Sequence, residues 1–192
     1  MDSTTLVIFD LDNILPPSKY MQHFIPFAFG HKPSWSQDLF FLWKKKLYDF
    51  RLISENAYQR SLIKKYFKGI NLFVLEEQCK RFFLKKSNLL FPENIRNKIK
   101  FHQLLDHQII FISSLPKNLL YFWCREQSGL ILANELEEKN ELLTGNLKYN
   151  SLDDTLQMHW IKQKITPEYY SEVIVYSDKK ENSKEWITYR RP

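Results

Sequence analysis

The chain has 192 residues, of which 44% are hydrophobic and 16% aromatic, so it is long enough to bury a substantial core and too apolar to be disordered. Its formal net charge of +6 favours anionic partners, but its lysines are spread in short clusters that are typical of solvated helix faces rather than of a nucleic-acid-binding tract. Cys79 and Cys124 form neither a disulfide framework nor a zinc pattern, and no signal peptide or membrane-spanning run is recognisable, so we expect a cytoplasmic protein without a membrane segment.

The first predicted element is a buried strand at residues 6–9, and two acids, Asp10 and Asp12, follow it. We expect the chain to leave the strand near Leu11 and to enter a loop there, with both acids facing one site. Ligands of α/β sheets bind at the carboxyl ends of strands. The pair therefore predicts a Mg²⁺ site or a nucleophile with a proton donor, and the alternative is a solvated surface turn.

Residues 17–90 show no strand alternation and predict a helical insertion. Helical patterns occupy 38–48, 54–67 and 74–83, and Ser54 is the predicted N-cap of the second. We expect the aromatic side chains near the start of the insertion to form its own core rather than to line a pocket; they are Trp35, Phe40, Phe41 and Trp43.

The second half alternates helices and short strands. Helices are predicted at 93–105, 118–126 and 153–165, strands at 108–112, 130–133 and 173–176, and a loop or hairpin at 134–150. This alternation predicts a parallel α/β sheet with right-handed crossovers. Three strands end in polar residues, namely Asp10 with Asp12, Ser113 and Asp178, and a parallel sheet would bring these ends to one edge.

These motifs, in this order, resemble the haloacid dehalogenase (HAD) superfamily of hydrolases, and within it the phosphoserine-phosphatase-like branch. Residues 9–13 resemble motif I, residues 109–113 resemble motif II, and residues 176–178 resemble the start of motif IV. The resemblance implies a Rossmann-like parallel sheet flanked by helices, formed by residues 1–16 and 91–192, with residues 17–90 inserted as a helical cap.

The resemblance also implies an activity, which is Mg²⁺-dependent hydrolysis of a small phosphorylated metabolite through an aspartyl-phosphate. Carried over by position, Asp10 is the nucleophile, Asp12 the acid and base, and Ser113 a phosphate ligand. The implied metal ligands are Asp10, Asp12, Asp178 and Asn182. Gln157 falls at the phosphate-binding position where the family has a lysine.

Several positions depart from the family pattern. Ile14 replaces a threonine in motif I, Gln157 replaces the motif III lysine, and Asn182 replaces an aspartate in motif IV. Lys148 is a candidate to supply the missing positive charge, and too few residues follow motif IV for the usual further strand and helix. Two functions therefore remain open at this point: a phosphatase, weakened or specialised, and a degenerate fold that binds a phosphorylated ligand or a protein partner without turnover.

Overall fold

The central sheet is organised around a strand in which every side chain but the last is buried, β1 (Thr5–Asp10). The computed structural model describes residues 5–30, 35–148, 170–176 and 189–190. Within these ranges, β1 pairs in parallel with β2 (Gln108–Pro116) on one side and with β6 (Glu172–Tyr176) on the other. The β-branched and aromatic residues of β1 suit this central position, because both of its faces are covered.

Two more strands extend the sheet. β3 (Leu130–Asn134) pairs in parallel with β2, and β7 (Tyr189–Arg190) pairs antiparallel with β6, which gives the order β3-β2-β1-β6-β7 in the described part of the chain. The predicted parallel sheet is thus confirmed, and β7 adds a short strand after motif IV. The predicted hairpin is formed by β4 (Leu136–Lys139) and β5 (Leu142–Leu147).

Helices flank this sheet. The described helices are α1 (Leu11–Ile14), α2 (Pro17–Phe29), α3 (Trp35–Asp49), α4 (Glu55–Tyr66), α5 (Leu72–Leu90), α6 (Glu93–Leu104) and α7 (Lys117–Glu126). None of them is long and apolar enough to cross a bilayer. The predicted helix at 153–165 lies outside the described residues.

The sheet separates two clusters of buried side chains, as the two-residue period of a strand requires. Val7 and Phe9 face the larger cluster, which includes residues of α2 and α4 to α7. Leu6 and Ile8 face a smaller cluster on the other side, with residues of β2 and β6. The position of β1 between them fixes the direction in which its carboxyl end, and therefore Asp10, is presented.

The helical segment and the hairpin are joined through main-chain contacts. Leu143 of β5 exchanges hydrogen bonds with the α4–α5 connection, since its carbonyl accepts from Gly69 at 2.8 Å and its N–H donates to Ile70 at 2.8 Å. Gly145 has a φ of +84°, and a Cβ there would lie 2.9 Å from the Cβ of Lys68. A residue without a side chain is therefore needed where β5 crosses this segment.

Two predictions for the helical segment can be compared with its side chains. Ser54 caps α4, because its hydroxyl accepts from the N–H of Ala57 at 3.2 Å, as predicted. The prediction that Trp43 belongs to the segment's core is wrong, since its side chain is 53% exposed. Phe40 does pack against the main core, whereas Trp43, about 60° away around the helix axis, is turned to solvent by the orientation of α3 on the core.

Candidate active site

The turn after β1 fixes the orientation of the Asp10 carboxylate. Asp10 is the N-cap of α1, and its Oδ1 accepts from the N–H groups of Asp12 at 3.2 Å and Asn13 at 3.4 Å. The side-chain amide of Asn13 donates to its Oδ2. The chain leaves the strand at Leu11, as predicted, because α1 begins there. Asp10 is therefore held at the strand end by three donors from its own turn.

The Asp12 carboxylate faces β2. The hydroxyl of Ser113 donates to Asp12 Oδ1 at 2.5 Å, and the N–H of Ser114 donates to Asp12 Oδ2 at 2.8 Å. Ser113 is fully buried, and its oxygen also accepts from the N–H of Leu115 at 3.1 Å. The structure thus brings together three of the predicted site residues, Asp10, Asp12 and Ser113, at the carboxyl ends of two neighbouring strands.

Burial changes the acidity of Asp12. Loss of solvent around the carboxylate, with a smaller contribution from the negative charge of Asp10, raises the pKa of Asp12 from 3.8 to about 6, although the hydrogen bonds from Ser113 and Ser114 oppose the rise. A carboxyl group with a pKa near 6 exchanges protons readily at neutral pH. The environment therefore gives the two acids different properties, as paired carboxylates require for separate acid and base roles.

A further residue, which the sequence did not single out, connects the helical segment to this site. The side-chain amide of Gln59, in α4, donates to the carbonyl of Ser114 at 3.0 Å, and Gln59 is only 2% exposed. The main-chain N–H of the same residue, Ser114, donates to the Asp12 carboxylate. The sequence contained one indication of this role: Gln59 is a polar residue on the same helix face as Leu62 and Ile63, which follow it by three and four positions.

The donor atoms at the turn suit a hard cation. Carboxylate and main-chain oxygens are the ligands that Mg²⁺ prefers. Pro16 lies four residues after Asp12 and has no N–H, so α1 cannot continue its hydrogen bonding to the Asp12 carbonyl. The Asp12 side chain is instead engaged with β2. The turn therefore offers two candidate oxygen ligands for Mg²⁺, the Asp10 carboxylate and the Asp12 main-chain oxygen.

The other predicted metal and phosphate ligands fall outside the described residues; they are Gln157, Asp178 and Asn182. Among the described residues, no group of three or more His, Cys, Asp or Glu side chains is arranged to hold a metal ion. Ile14, at the position where the family has threonine, is partly buried and packs against the main core. Its role in the described structure is therefore apolar packing.

Lys148, the candidate replacement for the motif III lysine, has an acidic partner. Its Nζ lies 2.8 Å from one carboxylate oxygen of Glu135, and the Nζ of Lys117 lies 2.5 Å from the other. Hydrogen bonds from the two lysines, Lys117 first, lower the pKa of Glu135 to about 2. Glu135 follows β3 directly, so this group lies at the same edge of the sheet as Asp10, two strands away.

Comparison with known proteins shows similarity in structure but not in sequence. No protein-family model matches the chain by sequence, and neither does any curated protein. Its structure is similar to a protein of unknown function from Bordetella pertussis Tohama I, with a TM-score of 0.72, 11% identity and coverage of 91% of this chain and 82% of the other.

Two further similar structures carry functional descriptions. One is a substrate-bound phosphoserine phosphatase complex, with a TM-score of 0.60, 13% identity and coverage of 91% of this chain and 78% of the other. Another is a HAD family hydrolase from Salmonella enterica serovar Typhi, with a TM-score of 0.59, 11% identity and coverage of 91% and 56%. The chain therefore has the HAD-type α/β fold of the phosphoserine phosphatase kind, as its motifs predicted.

Proposed function

We propose that this protein is a Mg²⁺-dependent phosphomonoester hydrolase in which Asp10 is the nucleophile and Asp12 the general acid and base. The observation that carries the proposal is the unequal pair of carboxylates at the end of β1. Asp10 is oriented by three donors in its own turn, whereas Asp12 is buried against Ser113 and Ser114 with a pKa raised to about 6.

The chemistry follows from these two environments. Attack of an Asp10 oxygen on phosphorus forms an aspartyl-phosphate and breaks the bond between phosphorus and the ester oxygen. The leaving alkoxide takes its proton from Asp12, and Asp12 then removes a proton from the water that hydrolyses the acyl-phosphate. A group that must both give and accept a proton near neutral pH works best with a pKa close to the ambient pH, as Asp12 has.

Mg²⁺, when bound, would offset the negative charge of the nucleophile and of the phosphate. We propose that the Asp10 carboxylate and the Asp12 main-chain oxygen hold it, and that Asp178 and Asn182 complete the site. Ser113 and Gln157 are the proposed phosphate contacts. In this assignment the Ser113 hydroxyl changes its acceptor from Asp12 to a phosphate oxygen when substrate binds, because one hydroxyl hydrogen cannot serve both.

Residues 17–90 are proposed to act as a cap over the site. The direct contact between Gln59 of this segment and the carbonyl of Ser114 supports that assignment. The similar phosphoserine phosphatase carries a bound substrate, and by analogy we propose a small phosphorylated metabolite as the substrate here. The fold alone does not define which metabolite, since specificity depends on the residues around the site.

Catalytic degeneration is the alternative, and two observations favour it. Ile14 packs in the core at a position where the family has a hydroxyl group, and both Asp12 side-chain oxygens already accept hydrogen bonds from β2. In that case the fold would bind a phosphorylated ligand or a protein partner without turnover.

Hydrolysis of an aryl phosphate, with Mg²⁺ and with EDTA, separates these functions. The phosphatase proposal expects Mg²⁺-dependent turnover that Asp10→Asn abolishes. Asp106→Asn is the matched control, because Asp106 is an exposed acid in the α6–β2 turn and the substitution makes the same chemical change away from the site. No turnover by the folded protein, or equal turnover by Asp10→Asn, would exclude the proposed mechanism.

A further inference from the structure

α3 carries an apolar patch on its outer side. The patch consists of exposed side chains from α3 and the turn after it, namely Leu39 at 70%, Leu42 at 55%, Trp43 at 53%, Phe50 at 73% and Leu52 at 69% exposure. Single exposed apolar residues are ordinary on protein surfaces. Five of them within 14 consecutive positions are not scattered, and they require a separate explanation.

Helical geometry places most of the patch on one line. At about 100° per residue, positions 39, 42, 43, 46 and 50 fall within about 100° of each other around the axis. Four of these five are patch residues, and the fifth is the exposed Lys46. The other side of the helix packs inward, since Phe40 and Tyr48 contact the main core. α3 thus has apolar side chains on two sides, one packed against the core and one turned to solvent.

The charges along this segment are mostly positive. Residues 38–52 contain four basic residues, Lys44, Lys45, Lys46 and Arg51, and two acids, Asp38 and Asp49. Asp49 forms an ion pair with Lys45, at 2.6 Å. Lys44 lies over the Trp43 ring, with its Nζ 4.8 Å from the ring centroid. The patch therefore combines an apolar centre with a net positive rim.

We propose that this patch is a docking surface for an anionic lipid bilayer. Tryptophan, phenylalanine and leucine on one helix face, next to lysine and arginine, are the composition of helices that lie in the membrane interface. Trp favours the headgroup level, and Lys and Arg side chains extend their charges to anionic headgroups while their stems contact apolar surface. A protein docked in this way needs no membrane-spanning helix.

The same charges disfavour a second copy of the chain as the occupant. A twofold dimer would place the same patch on both sides of the interface, and it would bring the rim lysines and Arg51 of two copies together. Like charges facing each other across an interface oppose association. An anionic bilayer instead complements the rim, and it accepts the apolar side chains without a matching pocket.

Vesicle sedimentation tests the proposal with the full chain. We expect binding to phosphatidylglycerol-containing vesicles that weakens with salt, and little binding to phosphatidylcholine alone. The double variant Leu42→Ser/Trp43→Ser should lower the partition coefficient by at least about tenfold, because it removes two inserted side chains. Lys46→Gln/Arg51→Gln should lower it about fivefold for each charge removed, on anionic vesicles only.

The matched control is Leu104→Ser/Leu130→Ser, which removes two apolar side chains that are at least as exposed as Leu42 and Trp43, at 86% and 60%, from other places on the surface. It should bind vesicles as the wild type does. Equal binding to neutral and anionic vesicles, or equal loss in the control, would overturn the proposal. A wild-type dimer in sedimentation velocity that Leu42→Ser/Trp43→Ser dissociates, without vesicle binding, would assign the patch to self-association instead. Thermal unfolding of each variant verifies that it is folded.

Discussion

Replacement of Asp12 by asparagine should stabilise the protein relative to the wild type, and this gain in the free energy of unfolding should grow as the pH rises from acidic to neutral. The pKa of Asp12 is raised from 3.8 to about 6 in the folded chain, so the folded state holds this proton more tightly than the unfolded state. The wild type therefore loses stability as pH rises through these values, and the loss is complete about one pH unit above 6. A shift of this size corresponds to about 3 kcal/mol.

Asparagine has the same shape and carries no charge at any pH. Its oxygen can accept from the N–H of Ser114, and its amide can donate to the Ser113 oxygen, so the variant preserves the packing. Any constant difference between the two proteins, from altered hydrogen bonds, does not depend on pH. The informative quantity is therefore the change with pH in the difference between their free energies of unfolding.

The assay is urea unfolding, followed by far-UV circular dichroism between pH 4.5 and 8 in EDTA, which keeps cations away from the carboxylates. His102 titrates in the opposite sense, because burial lowers its pKa to about 4, but it is present in both proteins and cancels in the difference. We expect Asp12→Asn to gain about 2 kcal/mol on the wild type across this range, because part of the total of about 3 kcal/mol lies below pH 4.5. A difference in unfolding free energy that does not change with pH would refute the claim that burial raises the pKa of Asp12.

The same reasoning gives three further predictions. Ser113→Ala removes a hydrogen bond that stabilises the ionised form of Asp12, so the pKa of Asp12 should rise above about 6. In the same urea series, comparison of Ser113→Ala with Ser113→Ala/Asp12→Asn should show this as a higher midpoint in the pH dependence of the difference in unfolding free energy; an unchanged midpoint would contradict the contact. Gln59→Leu leaves the β2 carbonyl without its buried donor, and the free energy of unfolding should fall by about 1 to 3 kcal/mol, whereas a neutral effect would show that the bond is dispensable. Gly145→Ala should lower the melting temperature more than Gly69→Ala, because both glycines have positive φ, at +84° and +80°, but only Gly145 has backbone within 4 Å of the added Cβ.

Local patterns explain which parts of the fold the sequence could predict. The apolar run before Asp10 and the N-cap at Ser54 depend on neighbouring residues only, and both are confirmed. The parallel order of the strands follows from their alternation with helices and is confirmed as well. These features were accessible because period and capping are properties of short segments.

The parts that the sequence did not predict depend on tertiary contacts. Trp43 and Phe40 both have aromatic side chains, and the rotation of α3 against its neighbours decides which of them packs against the core. The contacts of Asp12 with Ser114, and of Ser114 with Gln59, join residues far apart in the chain. Neither spacing nor composition encodes such contacts, so the raised pKa of Asp12 became visible only in the folded structure.

The central claim is that Asp10 carries the phosphoryl group during turnover, and direct detection of that intermediate tests it. The protein is mixed with an aryl phosphate and Mg²⁺, quenched in acid, which preserves acyl-phosphates, and analysed by mass spectrometry of the peptide that contains Asp10. We predict one phosphoryl group on Asp10 in the wild type and none in Asp10→Asn. Turnover without a phosphorylated Asp10, or a phosphoryl group on another residue, would contradict the account.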